Sequence, residues 1–192
     1  MSTCQILFIQ GGGGTNVHDT WDNKLVDSLR SELGEGYEVR YPRMPDEDEP
    51  SYAKWKPAIE REIAALDDGA ILVGHSIGGT MLVHLLNEQK PPHGLGAIIL
   101  VSAPFVGEGG WPPDEFELAP DLGARLPNGV KVHIFHGLED ETAPPSHADL
   151  YARVIPQARL HRLQGRDHQL GNDLSEIADA IREMVPVSGS MV

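Results

Sequence analysis

Residues 70–79 read Ala-Ile-Leu-Val-Gly-His-Ser-Ile-Gly-Gly, and Thr80-Met81-Leu82 follow. The apolar run Ala70–Val73, entered from Asp67-Asp68-Gly69, has the form of a strand buried on both faces. Behind it the pattern Gly74-x-Ser76-x-Gly78 opens a stretch with helical spacing. A strand that turns sharply into a helix brings the two backbones so close that only glycine fits beside the corner. The same corner pushes the serine hydroxyl into the open, which is the geometry that the G-x-S-x-G pattern needs to act as a nucleophile elbow.

Working outward, short β-rich runs recur on both sides of this segment. Strands are expected at Gln5–Gln10, Glu38–Tyr41, Ala70–Gly74, Ala97–Val101, Val130–His136 and Arg159–Leu163. Helical spacing falls between them at Asp22–Leu33, Trp55–Leu66, Gly78–Leu86, Pro145–Val154 and Leu174–Met184. Strands alternating with helices predict a parallel sheet covered on both faces: an α/β three-layer sandwich of about six mostly parallel strands without a lid domain. Two segments break the rhythm. Pro42–Pro50 contains Asp46-Glu47-Asp48-Glu49, and Pro104–Pro127 contains five prolines and Gly107-Glu108-Gly109-Gly110. Proline denies ladder bonds and like charges repel, so both are expected to be surface loops. One domain over 1–186 and a flexible tail over 187–192 complete the expectation.

The chain has 192 residues, and its 15 Lys and Arg against 29 Asp and Glu leave a net charge of −14. Such a balance opposes binding to nucleic acid phosphates or anionic lipid surfaces. The single cysteine, Cys4, cannot form an internal disulfide and reads as a small buried apolar residue. No run approaches the roughly 20 apolar residues of a membrane span. The opening residues lack a basic flank and hold only four successive apolar positions, Ile6–Ile9, so a cytoplasmic protein is expected.

A serine hydroxyl is a poor nucleophile until a base takes its proton, and that base needs a third group to fix its tautomer. In folds of this type the order along the chain is Ser, acid, His. The loop after the fifth strand holds Glu139-Asp140-Glu141, and the loop after the sixth holds Asp167-His168. Both leave the carboxyl edge of the sheet, as Ser76 does. Asp140 is the favoured acid, though Glu139 and Glu141 flank it and spacing alone does not separate the three. Asp167 adjoins His168, and adjacent side chains on an extended loop diverge. Asp140 could also merely cap the helix near Pro145.

Of the other histidines, His133 and His136 are an odd number apart on one strand and face opposite ways, so they do not form a shared metal site. His84 lies two turns into the helix, and His75 sits inside the elbow. Attack on a carbonyl also needs preorganised N–H groups for the developing oxyanion. One should be the amide of Ile77, and the second should come from Gly11-Gly12-Gly13-Gly14 after the first strand. That run matches neither G-x-x-x-x-G-K-[ST] nor G-x-G-x-x-G, so a nucleotide site is the weaker reading. Neither a metal nor a cofactor is expected.

With these residues assembled, the sequence resembles the α/β-hydrolase superfamily, most closely its small uncapped serine hydrolases related to retinoblastoma-binding protein nine. The resemblance rests on Gly74-His75-Ser76-Ile77-Gly78-Gly79, Gly137-x-x-Asp140-x-x-Ala143-Pro144 and Gly165-x-x-His168. It implies Ser76 as nucleophile, His168 as general base and then acid, and Asp140 as the orienting carboxylate. It implies Ile77 and Gly12 as oxyanion donors. Many relatives carry His-Gly where this chain has Gln10-Gly11, and the two leading strands common in larger members have no counterpart here.

With no inserted lid, water exclusion at the site falls to Pro104–Pro127. Its Phe105, Trp111 and Phe116, together with Gly11 and Gly13 across the site, either wall a substrate pocket or, for the aromatics, pack onto the core. The expected substrate is a small or short-chain carboxylic ester, cleaved through an acyl-enzyme. Thioester, amide or acyl-transfer chemistry on the same residues is an alternative. So is a non-catalytic module that presents an acidic, proline-rich surface to a protein partner, a role suggested by the name of the resembled family.

Overall fold

Alternation along each strand decides which helices it meets. In the computed structural model, which describes residues 3–185, six strands form one parallel sheet. They are β1 (Cys4–Ile9), β2 (Tyr37–Arg40), β3 (Ala70–His75), β4 (Leu95–Val101), β5 (Lys131–Gly137) and β6 (Arg159–Leu163). Leu7, Leu72, Ile98 and Val132 stand in register across β1, β3, β4 and β5 and enter one core layer. Their chain neighbours Ile6, Ile71, Ala97 and Ile99 point to the opposite layer. This double burial is why these strands read as unbroken apolar runs.

The first layer is covered by α2 (Tyr52–Ala64), α3 (Ile77–Glu88), the short α4 (Leu122–Arg125) and α5 (Ser146–Val154). The second is covered by α1 (Asn23–Leu33) and α6 (Ser175–Met184). Cys4 is buried in this second layer. Helix α2 begins earlier than its apolar spacing suggests, because Ser51 caps it by accepting from the Lys54 amide, while Pro57 lies inside it.

Two expectations are corrected. Pro104–Pro127 is not a surface loop throughout: Phe105, Val106, Leu118, Leu122 and Leu126 are buried, since the segment lies over α3 and closes that core layer. In Pro42–Pro50, Met44 is likewise buried beneath the acidic run. The tail expected over 187–192 lies outside the described residues.

The strand order is β2-β1-β3-β4-β5-β6. The chain therefore leaves β1 toward one edge and returns across it to β3. Connections from β1 and β3 diverge to opposite faces of the sheet, and a crevice opens between their carboxyl ends. Gly11 follows β1 and Ser76 follows β3, so the order of the strands alone places both at this crevice.

Candidate active site

Ser76 joins β3 to α3 with φ 53° and ψ −134°, a conformation that costs a non-glycine residue about 1–3 kcal/mol. The surroundings hold it there. A Cβ on Gly74 would lie 2.4 Å from Gly79 Cα, and one on Gly78 would lie 2.0 Å from the Gln10 carbonyl oxygen. Helix, strand and neighbouring loop meet at these two positions without room for a methyl group.

The loops after β5 and β6 bring the other two residues to this corner. His168 Nε2 lies 3.0 Å from Ser76 Oγ, and His168 Nδ1 lies 2.8 Å from Asp140 Oδ2. Glu139 and Glu141 are exposed, whereas Asp140 is buried. Asp140 does cap its own loop, because its Oδ1 accepts from the amides of Thr142 and Ala143 at 2.9 Å each. The carboxylate thus fixes the loop with one oxygen and faces His168 with the other. Burial alone would raise its pKa, but hydrogen bonds from His136, His168 and the Ala143 amide hold the carboxyl well below the usual carboxylate range.

Asp167 turns away and accepts from the amides of Gln169 and Gly171. Arg166 clamps the far side of the loop, donating to the Leu170 carbonyl at 2.7 Å and to Asp173 and Glu176 at 2.8 Å each.

Opposite Ser76, the glycine run is pinned residue by residue. The Gly11 amide donates to Asp22 Oδ2 at 2.7 Å, and the Gly13 amide donates to the Glu47 carbonyl at 2.8 Å. Between them, the Gly12 amide has no partner within the protein among the described residues. Ile77 opens α3, so its amide has no carbonyl one turn back to receive it. Both residues line the cleft that also holds Ser76. A Cβ on Gly11 would crowd Ser76 Cβ at 3.2 Å, and Gly13 adopts φ +90°, where other residues are strained. Gln10 stabilises the run from beneath: its Oε1 accepts from the Met44 amide, and its Nε2 donates to Glu47 and to the Gly11 carbonyl.

Sequence reasoning missed these supports. Gln10, His75 and His136 are polar groups at or beside the ends of apolar strands, and that position was the available signal for these three; Asp22, before α1, and Glu47, in the loop after β2, carry no such mark. His136 donates from Nε2 to the Ala143 carbonyl at 2.8 Å and lies 3.2 Å from Asp140 Oδ2. His75 and Asp22 form a buried pair at 2.9 Å directly beneath the hydroxyl.

A cleft of about 510 Å³ opens over Ser76, lined by Gly11 to Gly14, Ile77 and Met81 on one side and by Trp111 and Phe116 on the other. Trp21 forms part of its rim and is half exposed. Phe105 does not line it. Its ring is buried edge-on against Tyr151 at 5.2 Å, because the Pro104 carbonyl accepts from both the Thr80 and Tyr151 hydroxyls and draws the backbone into the core. Phe116 stacks on His84 at 4.1 Å, and Glu115 accepts from the amides of Tyr52 and Ala53 at the start of α2. These contacts tie the wall to α2 and α3. Among the described residues, no three His, Cys, Asp or Glu converge as a metal site. No described helix is long and apolar enough to cross a membrane.

The model of the alpha/beta hydrolase family matches residues 6–187. The chain belongs to this family. Among solved structures, this α/β hydrolase is similar to the ydeN gene product of B. subtilis, at 20% identity and a TM-score of 0.72 over 95% of this chain and 98% of that one. It is also similar to a monoacylglycerol lipase of Paleococcus ferrophilus, at 15% identity and a TM-score of 0.63 over 95% of each chain. A third is Est1E of Butyrivibrio proteoclasticus with ferulic acid bound, at 17% identity and a TM-score of 0.68 over 95% and 88%. No curated protein sequence matches this α/β hydrolase.

Proposed function

We propose that this α/β hydrolase is a serine hydrolase that cleaves small or short-chain carboxylic esters whose acyl groups carry no charge. The observation that carries the reading is the continuous chain of contacts from Ser76 Oγ through His168 to Asp140, at 3.0 and 2.8 Å. Ser76 gives its proton to His168 Nε2 as Oγ bonds to the ester carbonyl carbon. The carbonyl oxygen becomes an oxyanion and accepts from the Gly12 and Ile77 amides. Its collapse breaks the bond to the alcohol, which leaves with the proton from His168. Water, losing a proton to His168, then attacks the acyl-enzyme; the acid leaves and Ser76 regains its proton.

Asp140 stays ionised throughout and holds the proton of His168 on Nδ1, so that Nε2 is free to accept. Its strongly lowered pKa supports this role. The cleft supports the substrate class. Apolar side chains dominate it, none of its lining residues is Lys or Arg, His75 is already paired with Asp22, and Asp114 and Glu115 stand on its edge, so an anionic acyl group meets no unpaired counter-charge there. The lipase and the ferulic acid complex among similar folds are consistent with acyl esters.

The test is labelling by a fluorophosphonate together with hydrolysis of a panel of acetate, butyrate and aryl esters, thioesters and anilides. Covalent modification at Ser76 and preference for the uncharged oxygen esters are expected. Ser76→Ala should abolish labelling and lower turnover by about 10⁴-fold or more while the protein stays folded. Absence of any adduct on folded wild-type protein would defeat the reading. A faster reaction with thioesters or anilides would retain the nucleophile and replace the substrate class.

A further inference from the structure

His75 and Asp22 are both buried, they lie immediately behind the nucleophile, and the hydrolytic steps do not use them. Their hydrogen bonds specify a charge state. His75 Nδ1 lies 2.9 Å from Asp22 Oδ2, and His75 Nε2 lies 3.0 Å from the backbone carbonyl oxygen of His168. A carboxylate and a carbonyl are acceptors only, so both ring nitrogens must carry protons for both contacts to be bonds. Asp22 receives three donors in turn: His75 Nδ1, the Gly11 amide at 2.7 Å and Gln169 Nε2 at 3.3 Å. Convergent donors keep a carboxylate ionised even where it is out of water.

We infer that His75 is a positioning residue that stays protonated at neutral pH and, paired with Asp22, ties the oxyanion loop, the elbow and the His168 loop into one unit around Ser76. The three attachments are separate in sequence. Asp22 holds Gly11 and so sets the neighbouring Gly12 amide, His75 precedes Ser76 in the chain, and the His75 Nε2 proton seats the backbone of His168. A neutral imidazole could satisfy only one of its two acceptors, leaving a bare ring nitrogen against the His168 carbonyl or a buried carboxylate without its proton donor. Burial opposes the charged ring, but the Asp22 charge and hydrogen bond and the His168 carbonyl outweigh it, so the His75 pKa is raised. The pKa of Asp22 is lowered against the same burial. Fully desolvated pairs are strongly destabilised when one partner is removed, so loss of charge here would release the loops rather than merely soften them.

This inference builds on the proposed hydrolase reading, but its first test does not depend on it. Imidazole ¹⁵N–¹H spectra are recorded on folded wild-type protein at pH about 7.5, where an ordinary histidine of pKa about 6.5 is about nine-tenths neutral. His75, assigned by comparison with His75→Gln, is expected to show two protonated nitrogens there. A single protonated nitrogen would overturn the inference. The second test is Asp22→Asn, which keeps the shape and removes the charge. The burst rate with p-nitrophenyl acetate should fall about 10- to 100-fold with KM within about two-fold, since the reacting groups are displaced and the cleft is not. A folded Asp22→Asn protein with unchanged turnover would also overturn it. If wild-type protein has no esterase activity but His75 is doubly protonated, the hydrolase reading fails and the charge assignment stands. If Asp22→Asn does not fold, the wild-type spectrum decides.

Discussion

Two histidines lie beside Ser76 with ring centroids 5.1 Å apart, and each has an aspartate at Nδ1. They differ at Nε2. His168 faces a hydroxyl, which can donate or accept, and its side chain is 18% exposed at the floor of the cleft. His75 faces a carbonyl, which can only accept, and its side chain is 3% exposed. A hydroxyl partner lets a proton move in both directions, whereas a carbonyl partner fixes it in place. Similar side chains, one beside the other, are thereby suited to a mobile proton in one case and a fixed charge in the other. The carboxylates reflect the division: Asp140 also anchors the loop after β5, and Asp22 also anchors the loop after β1.

The comparison is tested most severely by Asp140→Asn. An asparagine amide at this position would donate to His168 Nδ1, forcing the ring proton onto Nε2 where it blocks acceptance from Ser76. The rate of acylation by p-nitrophenyl acetate is expected to drop about 10³- to 10⁴-fold, well beyond the effect of the same change at Asp22. Equal losses at the two positions would mean that both pairs only position backbone, and the contrast at Nε2 would have no mechanistic content.

The parts of this arrangement differ in how far the chain discloses them. Apolar runs such as Ala97–Val101 reveal strands because a two-sided core demands them, and Ser76, His168 and the acidic run Glu139–Glu141 stand out because chain order and strand ends restrict the choices. Asp140 separates from Glu139 and Glu141 only in three dimensions, where one side chain of the three turns inward. Pro104–Pro127 misleads because its prolines and glycines signal a loop, while Leu118, Leu122 and Leu126 meet a core formed by residues distant in sequence. The His75 and Asp22 pair was not legible at all. Its members are 53 positions apart, and each alone has an ordinary place, one at a strand end and one before a helix. Only the β1 to β3 crevice brings them together.

A smaller effect separates both pairs from the walls of the cleft. Phe116 packs on His84 and lines the cleft without being a member of either histidine–aspartate pair. Phe116→Ala should remove about 1 kcal/mol of apolar contact with an aryl ester. That corresponds to about a five-fold rise in KM, with the acylation rate constant nearly unchanged. Asp140→Asn should show the reverse pattern. A loss of rate rather than affinity in Phe116→Ala would show that the wall also positions the reacting groups.

The slightest difference between the pairs should appear in the pH dependence of folding. Asp22 and Asp140 are both held below the ordinary carboxylate value of about 3.9, so below about pH 5 the unfolded chain takes up protons before the folded one does. Stability from each is therefore complete above that range and declines as pH falls toward the folded value. His75 acts in the opposite direction. With a raised pKa, its contribution is complete below about 6.5 and declines as pH rises through its folded value. Urea midpoints measured across pH should then flatten chiefly on the acid limb in Asp140→Asn, because the Asp140 charge is only the smallest of the influences that raise His75. In Asp22→Asn they should flatten on both limbs, because the principal group that raises His75 is lost with the carboxylate. An alkaline limb identical in wild type and Asp22→Asn would show that Asp22 does not hold the His75 proton, and the two pairs would then differ only in their exposure.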